Sequence, residues 1–514
     1  MSRESQPAAE AESVDTGEPP SHATTPPSHD GLPVIGNTLE AARDQEAFYE
    51  AAAEEGDVVH LQLLGFGDLY QINHPDLVRE VLVTSHDRYG KASMTQDQLG
   101  ELLGQGLVLS EGELWQSQRQ RIQPAFYREK IGTYAETMTE ETAAVADEWT
   151  DGDVVGIEDE MKALTLRILV KSIFGSELDY DDRGIRQTVQ QLQEPGQPSK
   201  QPVAQTIPKW VPIPMWRRYR EGIAEMESVI EEFVDQRRGA TEGRTDLLSR
   251  LLRATDDDGE GMSAKLLRDE LMTFLFAGHE TTATALTFAW YALARNPSVE
   301  RRLAAELTTT LDGPATVADL PRLPYTEAVL LESMRLYPPV PSIPREPAIE
   351  TGSTTLGGYR IPADGTVTCS QWVIHRDERW WDDPSEFRPA RWLPEGVDPE
   401  QIGSGANEND DGHQTPDSDD SASTAGVEGG RPTPGRVDGT DARGERPAFA
   451  YFPFGGGPRR CVGEQFALVE GQLLLATLLR RYEPTLESDP DVDLSVSITT
   501  RPVDPIDVRL AERS

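Results

Sequence analysis

The stretch AKLLRDELMTFLFAGHETTATALTFAWYALARN, Ala264 to Asn296, contains no proline, and its middle is apolar on nearly every side. It predicts a single helix of about 50 Å at 1.5 Å rise per residue. A helix without a polar face has no side to turn to water, so it must run through the centre of a domain. A chain of 514 residues is long enough to surround it. AETMTEETAAVADEW and EGIAEMESVIEEFVDQRR carry the three-four spacing of further amphipathic helices, and the two prolines of LESMRLYPP stop another. VVHLQLLGFGDLYQI and GYRIPADGTVTCSQW alternate or cluster apolar residues like paired strands. The expected fold class is therefore mainly α with minor β, a single large domain over 31–514 built around the long central helix.

Charge narrows the partners. Lys plus Arg total 48 against 89 Asp plus Glu, a formal net charge of −41. Such a chain repels nucleic acid and anionic membrane, so neither is an expected partner without a local basic patch. Acidity laid over intact apolar periodicity suggests a solvated surface on an ordinary core, as in a salt-adapted, halophilic protein. Two segments have the composition of solvated coil: an acidic tail over 1–30 and an acidic low-complexity insertion over 395–446. No run of about 18 apolar residues occurs, and the first residues lack the basic and apolar regions of a signal peptide. A soluble, cytoplasmic monomer without a transmembrane segment is expected. IPKWVPIPMWRRYR mixes aromatics with basic residues; packing against the core is the favoured reading, weak peripheral membrane contact the other.

The only two cysteines, Cys369 and Cys461, exclude a disulfide framework, a four-cysteine zinc site and a ferredoxin-type cluster. Cys461 ends the glycine-rich loop of FPFGGGPRRCVGEQF. Beyond it Val462, Phe466, Val469, Leu473 and Ala476 recur at spacings of four and three, so a helix starts at or just after the cysteine. A helix start favours thiolate over thiol. Gly455, Gly456 and Gly457 let the backbone approach something large and flat, and Arg459 offers it a cation. A small buried hydrophobe, or a nucleophile with a histidine base, remains an alternative; a phosphate loop is poor, because no Gly-Lys-Ser/Thr follows. Axial ligation of haem iron accounts for glycines, arginine and helix together.

Phe454, Gly457, Arg459, Cys461 and Gly463 reproduce Phe-x-x-Gly-x-Arg-x-Cys-x-Gly, and the chain thereby resembles the cytochrome P-450 family. The resemblance runs from about Gly31 to about residue 510. It implies haem b (iron protoporphyrin IX) between the long helix and the cysteine-loop helix. Cys461 would be the iron ligand, Arg459 a propionate partner, and the glycines the clearance for the porphyrin. Glu332 and Arg335 in LLESMRL, with Arg391 in FRPARW, match the family's structural Glu-x-x-Arg and arginine network. Trp115 and Arg119 match Trp-x-x-x-Arg, whose two side chains reach a propionate, and Arg345 lies where another propionate-binding arginine is often found. In AGHETT, Glu280 and Thr281 match the acid-alcohol pair that opens a groove and delivers protons to dioxygen. Taken without the resemblance, that pair also reads as a salt-bridged glutamate beside a threonine bonding back to its own helix. Ala277 and Gly278 leave room beside the haem, and His279 reads as a packed residue.

The expected activity is a haem-thiolate monooxygenase that puts one atom of dioxygen into a small lipophilic substrate. No reductase module fits in the chain, so a ferredoxin-type electron donor in trans is implied. A peroxide-driven hydroxylase is the rival on the same fold, although the acid-alcohol pair argues against it; a non-catalytic haem carrier or sensor is the other. By position, substrate access should lie in the loop from Ser93 to Leu107 and in a lid from Gln190 to Met215.

Overall fold

The computed structural model describes residues 23–175, 188, 192, 209–256, 262–349, 352–394, 396–402, 446–496 and 498–513. Most of the acidic tail, the lid up to residue 208 apart from Leu192, and the insertion over 403–445 lie outside the described residues.

The apolar stretch forms one helix of 32 residues, Ala264–Arg295, whose start is capped by Ser263 accepting a hydrogen bond from Leu266 N–H. Leu286, Phe288, Ala289, Trp290 and Leu293 have no exposed surface, so the helix is buried all round, as its lack of a polar face requires. It packs against helices Ile157–Leu169 and Pro324–Leu336 and meets the cysteine-loop helix Glu464–Arg481. Pro324–Leu336 ends where expected: Tyr337 N–H makes the last bond, to Ser333 O, and Pro338 and Pro339 have no donor to continue it.

The β part is chiefly a five-stranded mixed sheet in the order Val58–Leu63, Gly67–Ile72, Thr366–Ser370, Ser342–Pro347, Tyr89–Lys91. The first two strands are the predicted hairpin, with Val58 opposite Ile72. The strands of GYRIPADGTVTCSQW do not pair with each other. Tyr359–Pro362 pairs with Ser353–Leu356, and Thr366–Ser370 enters the large sheet. Between them Gly365 N–H bonds Pro362 O at 3.1 Å, and a Cβ at Gly365 would lie 2.5 Å from the Tyr70 ring, so only glycine fits this turn. In the sheet centre Gln71 faces Thr368 and Thr368 faces Pro344, while Ser370 faces Ser342. Lys91 on the edge strand stands opposite Arg345.

Helix Pro214–Arg237 buries Met215, Trp216 and Tyr219 in the core, whereas Trp210 ahead of it is 80% exposed. Among the described residues, no helix is long and apolar enough to cross a membrane.

Candidate active site

The loop before the cysteine is held from below. Phe449, Tyr451 and Phe452 are buried, and Phe452 N–H donates to His375 Nε2 at 3.0 Å. Gly455 N–H then bonds Phe452 O at 2.8 Å, and Cys461 N–H bonds Phe454 O at 3.0 Å, closing the loop on itself. Gly455 and Gly457 adopt φ of 71° and 64°. Gly457 has a second constraint: a Cβ there would sit 1.9 Å from Leu82 O, so this glycine serves backbone packing and lies off the cavity described below. The helix begins at Glu464 with Gly463 as N-cap, two residues beyond Cys461.

The Cys461 side chain is exposed to the cavity described below; desolvation by the surrounding protein pushes its thiol up and Glu464 adds to the rise, while the Gly463 N–H, Arg119 and Arg460 pull it down.

Cys461 lines a cavity of about 1200 Å³, larger than the roughly 300–1,000 Å³ of a drug-sized ligand site. Phe454, Gly455, Gly456 and Gly463 form the wall around the cysteine; Ala277, Gly278, Glu280 and Thr281 of the long helix form another. Trp115, Arg119, Arg345 and Arg459 border the same space, so every sequence-predicted haem residue except Gly457 meets at one cavity.

Besides Arg43 and Arg460, four cations line that cavity. The Arg459 guanidinium lies 4.6 Å from the Trp115 ring centre and donates to Ser110 O at 2.8 Å. Arg119 donates to Arg460 O and Arg345 to Pro344 O, both through Nη1. Lys91 is the fourth, and no sequence motif marks it. Burial, then the charges of Arg345 and Arg459, hold its ammonium well below the usual lysine range. Burial likewise lowers Arg119, Arg345 and Arg459. The acid acting on Lys91, Arg345 and Arg459 is Glu111, which accepts Lys91 N–H at 2.6 Å. Partly desolvated cations outnumbering their acid favour an anionic ligand. A thiol, a glycine cradle and this cation cluster form a donor set that fits a flat iron macrocycle bearing two carboxylates.

Glu280 is 1% exposed, and its carboxylate is ion-paired with Arg501 from the strand Thr500–Pro502. Thr281 Oγ1 donates to Ala277 O at 3.1 Å. The pair thus stands salt-bridged and back-bonded, the arrangement its residues suggest without the family resemblance. Arg501, which sequence reasoning did not single out, also donates to Thr499 Oγ1, and burial brings it down to about 10 against the opposing pull of Glu158. Gly278 permits close helix packing, since a Cβ there would lie 3.2 Å from Leu169. His279 is buried off the cavity wall with Nδ1 2.6 Å from Leu275 O; burial lowers it to about 4, so it stays neutral and donates to that carbonyl.

Glu332 and Arg335 have no exposed surface. The Glu332 carboxylate accepts two bonds from Arg335 at 2.9 Å, one from Arg391 Nε at 3.0 Å, one from Arg388 N–H and one from Trp392 Nε1 at 2.8 Å. Burial pushes this carboxyl up, but Arg335 and Arg391 together hold it below the usual range. Arg335 Nη1 also donates to His375 O, so the network reaches the cysteine loop through the same histidine that holds Phe452.

The family model described as "Cytochrome P450" matches residues 26–413 and 432–506. Cyclooctatin synthase of Streptomyces melanosporofaciens is 33% identical over 456 residues, 88% of each chain. Pentalenene oxygenase of Streptomyces avermitilis is 29% identical over 90% of this chain and 91% of its own. The crystal structure of the cytochrome P450DA heme domain superposes with a TM-score of 0.77 at 27% identity, covering 96% of this chain and 98% of that one.

Proposed function

Because the chain belongs to the cytochrome P450 family, we propose that it hydroxylates or epoxidises a lipophilic organic substrate, taking electrons from a separate ferredoxin-type protein. The observation that carries this reading is Cys461 sharing one cavity with Ala277, Gly278, Glu280, Thr281 and the cations Lys91, Arg119, Arg345 and Arg459. In this reading haem b would be held by Cys461 at iron and by Arg119, Arg345, Arg459, Lys91 and Trp115 at the propionates. Gly455, Gly456 and Gly463 give the macrocycle clearance. When bound, the haem supplies the activation of dioxygen and its transfer to carbon.

The protein's own groups bind substrate, exclude water and move protons. Leu99, Leu103, Phe276 and Ile343 give the cavity apolar walls that hold a hydrocarbon and keep bulk solvent out. Thr281 Oγ1 spends its hydrogen on Ala277 O, which leaves its lone pairs to accept from an ordered water. Glu280 takes up protons at its carboxylate when the contact with Arg501 loosens and passes them to that water. The names of two relatives, Cyclooctatin synthase and Pentalenene oxygenase, support a carbocyclic, lipophilic substrate.

Turnover of the haem-loaded protein with a ferredoxin, its reductase and dioxygen tests the reading. Oxygenated product that needs all three is expected; product formed with hydrogen peroxide alone, and not with the redox system, would place the chain among peroxide-driven hydroxylases.

A further inference from the structure

The cavity has an arm that the acid-alcohol pair and the cations do not use. It runs over the large sheet's other face, where Leu69, Gln71, Thr368, Ser370, Ser342 and Pro344 line it. Along Ser342–Pro347, residues alternate between faces, so Ser342 and Pro344 point away from the side that Ile343 and Arg345 take. Register sets Gln71 beside Thr368 and Ser370 beside Ser342, which gives four polar side chains in adjoining rows; Asp44, Gln45 and Glu46 at the start of the facing helix line the same cavity. Helix Gln45–Ala53 covers the arm, and Tyr49 O accepts from Gln71 Nε2 at 2.9 Å.

Two glutamines there are incompletely satisfied. Gln371 has no exposed surface, lines the cavity, and has a hydrogen-bond partner at neither its amide nitrogen nor its amide oxygen. Gln71 is 1% exposed, and although its nitrogen bonds Tyr49 O and Asn73 Oδ1, its oxygen has no partner. Burying an amide without partners is costly, so a native protein retains such groups where a ligand supplies the missing bonds. Neutral amides beside Thr368, Ser342 and Ser370 match a neutral group that both donates and accepts.

We propose that this arm holds a hydroxyl at the end of the substrate remote from the carbon that reacts. The substrate is then a lipophilic molecule already carrying an alcohol, supplied by an earlier hydration, hydroxylation or carbonyl reduction. The inference rests on the monooxygenase reading only in taking the cavity to be a substrate site.

Substrate-induced spectral titration of the haem-loaded protein tests it with matched pairs: borneol with bornane, cedrol with cedrane, phytanol with phytane. In at least one pair the alcohol should bind about tenfold tighter than its hydrocarbon, as expected where a buried polar group would otherwise stay unpaired. Gln371→Leu should remove that preference while leaving hydrocarbon affinity in place. No preference in any pair of the unsubstituted protein overturns the proposal whether or not the variant folds, and so does a preference that survives in Gln371→Leu. Failure of the monooxygenase reading would show elsewhere, in the absence of a thiolate-type spectrum from the reduced carbon monoxide complex.

Discussion

Arg501 and Glu280, 221 positions apart in the chain, form a buried ion pair between the last strands and the middle of the long helix. Removing one member strands a charge away from water, typically at a cost of about 3–5 kcal/mol. Arg501→Leu should therefore lower unfolding stability by roughly 3 kcal/mol. Adding Glu280→Leu should recover much of it, because no lone charge then remains. Denaturant melts of the two single variants and the double variant check this; additive losses would show that the residues are not coupled.

Thr281→Ala removes the hydroxyl that bonds Ala277 O. With proton delivery disordered, electrons should go to hydrogen peroxide in place of oxygenated substrate while oxygen is still consumed. Product and peroxide counted per electron give the answer, and an unchanged product yield would take Thr281 out of the mechanism.

Glu332→Gln should cost the cysteine loop its support. A glutamine amide would set N–H groups against Arg335 and Arg391, where the carboxylate now accepts from both. The expected outcome is a protein that retains little haem and melts earlier, read from haem-to-protein absorbance ratio and thermal unfolding; full haem retention would contradict the role given to the network.

Glu270, buried on the long helix, accepts from Leu107 N–H at 3.1 Å. Burial pushes its carboxyl up to about 7 against Leu107 and Gln118, with Asp269 adding to the rise. The folded pKa lies above the unfolded value, so the native state binds the extra proton. Its stabilisation is complete below about pH 4.5 and is lost as pH rises through about 7, amounting to roughly 3 kcal/mol from the shift of 4.5 to about 7. Glu270→Gln should flatten that fall between about pH 4.5 and 7, as measured by unfolding free energy; an unchanged slope would place the titration elsewhere.

What sequence reasoning reached follows from distance along the chain. The long helix, the Phe454–Gly463 loop and the Glu332–Arg335 pair are local patterns, and helical or loop spacing fixes their geometry. Lys91 escaped because its edge strand meets Arg345 only through pairing with a distant strand, and Arg501 because its ion pair reaches a glutamate 221 positions away; nothing beside either in the chain marks such contacts. Trp392 adjoins a recognised arginine, yet its bond to Glu332 depends on how that turn docks. Gly457 was read as clearance for a cofactor because the glycines stand together, but its constraint comes from Leu82, far away in sequence.

The central claim is that the sulfur of Cys461 is the iron ligand, and the spectrum of the reduced, carbon monoxide-bound protein tests it most directly. The unsubstituted protein should give the thiolate-type absorption band. Cys461→Ser, with haem still bound, should lose that band entirely. If Cys461→Ser kept it, the ligand would lie elsewhere and the assignment would be wrong.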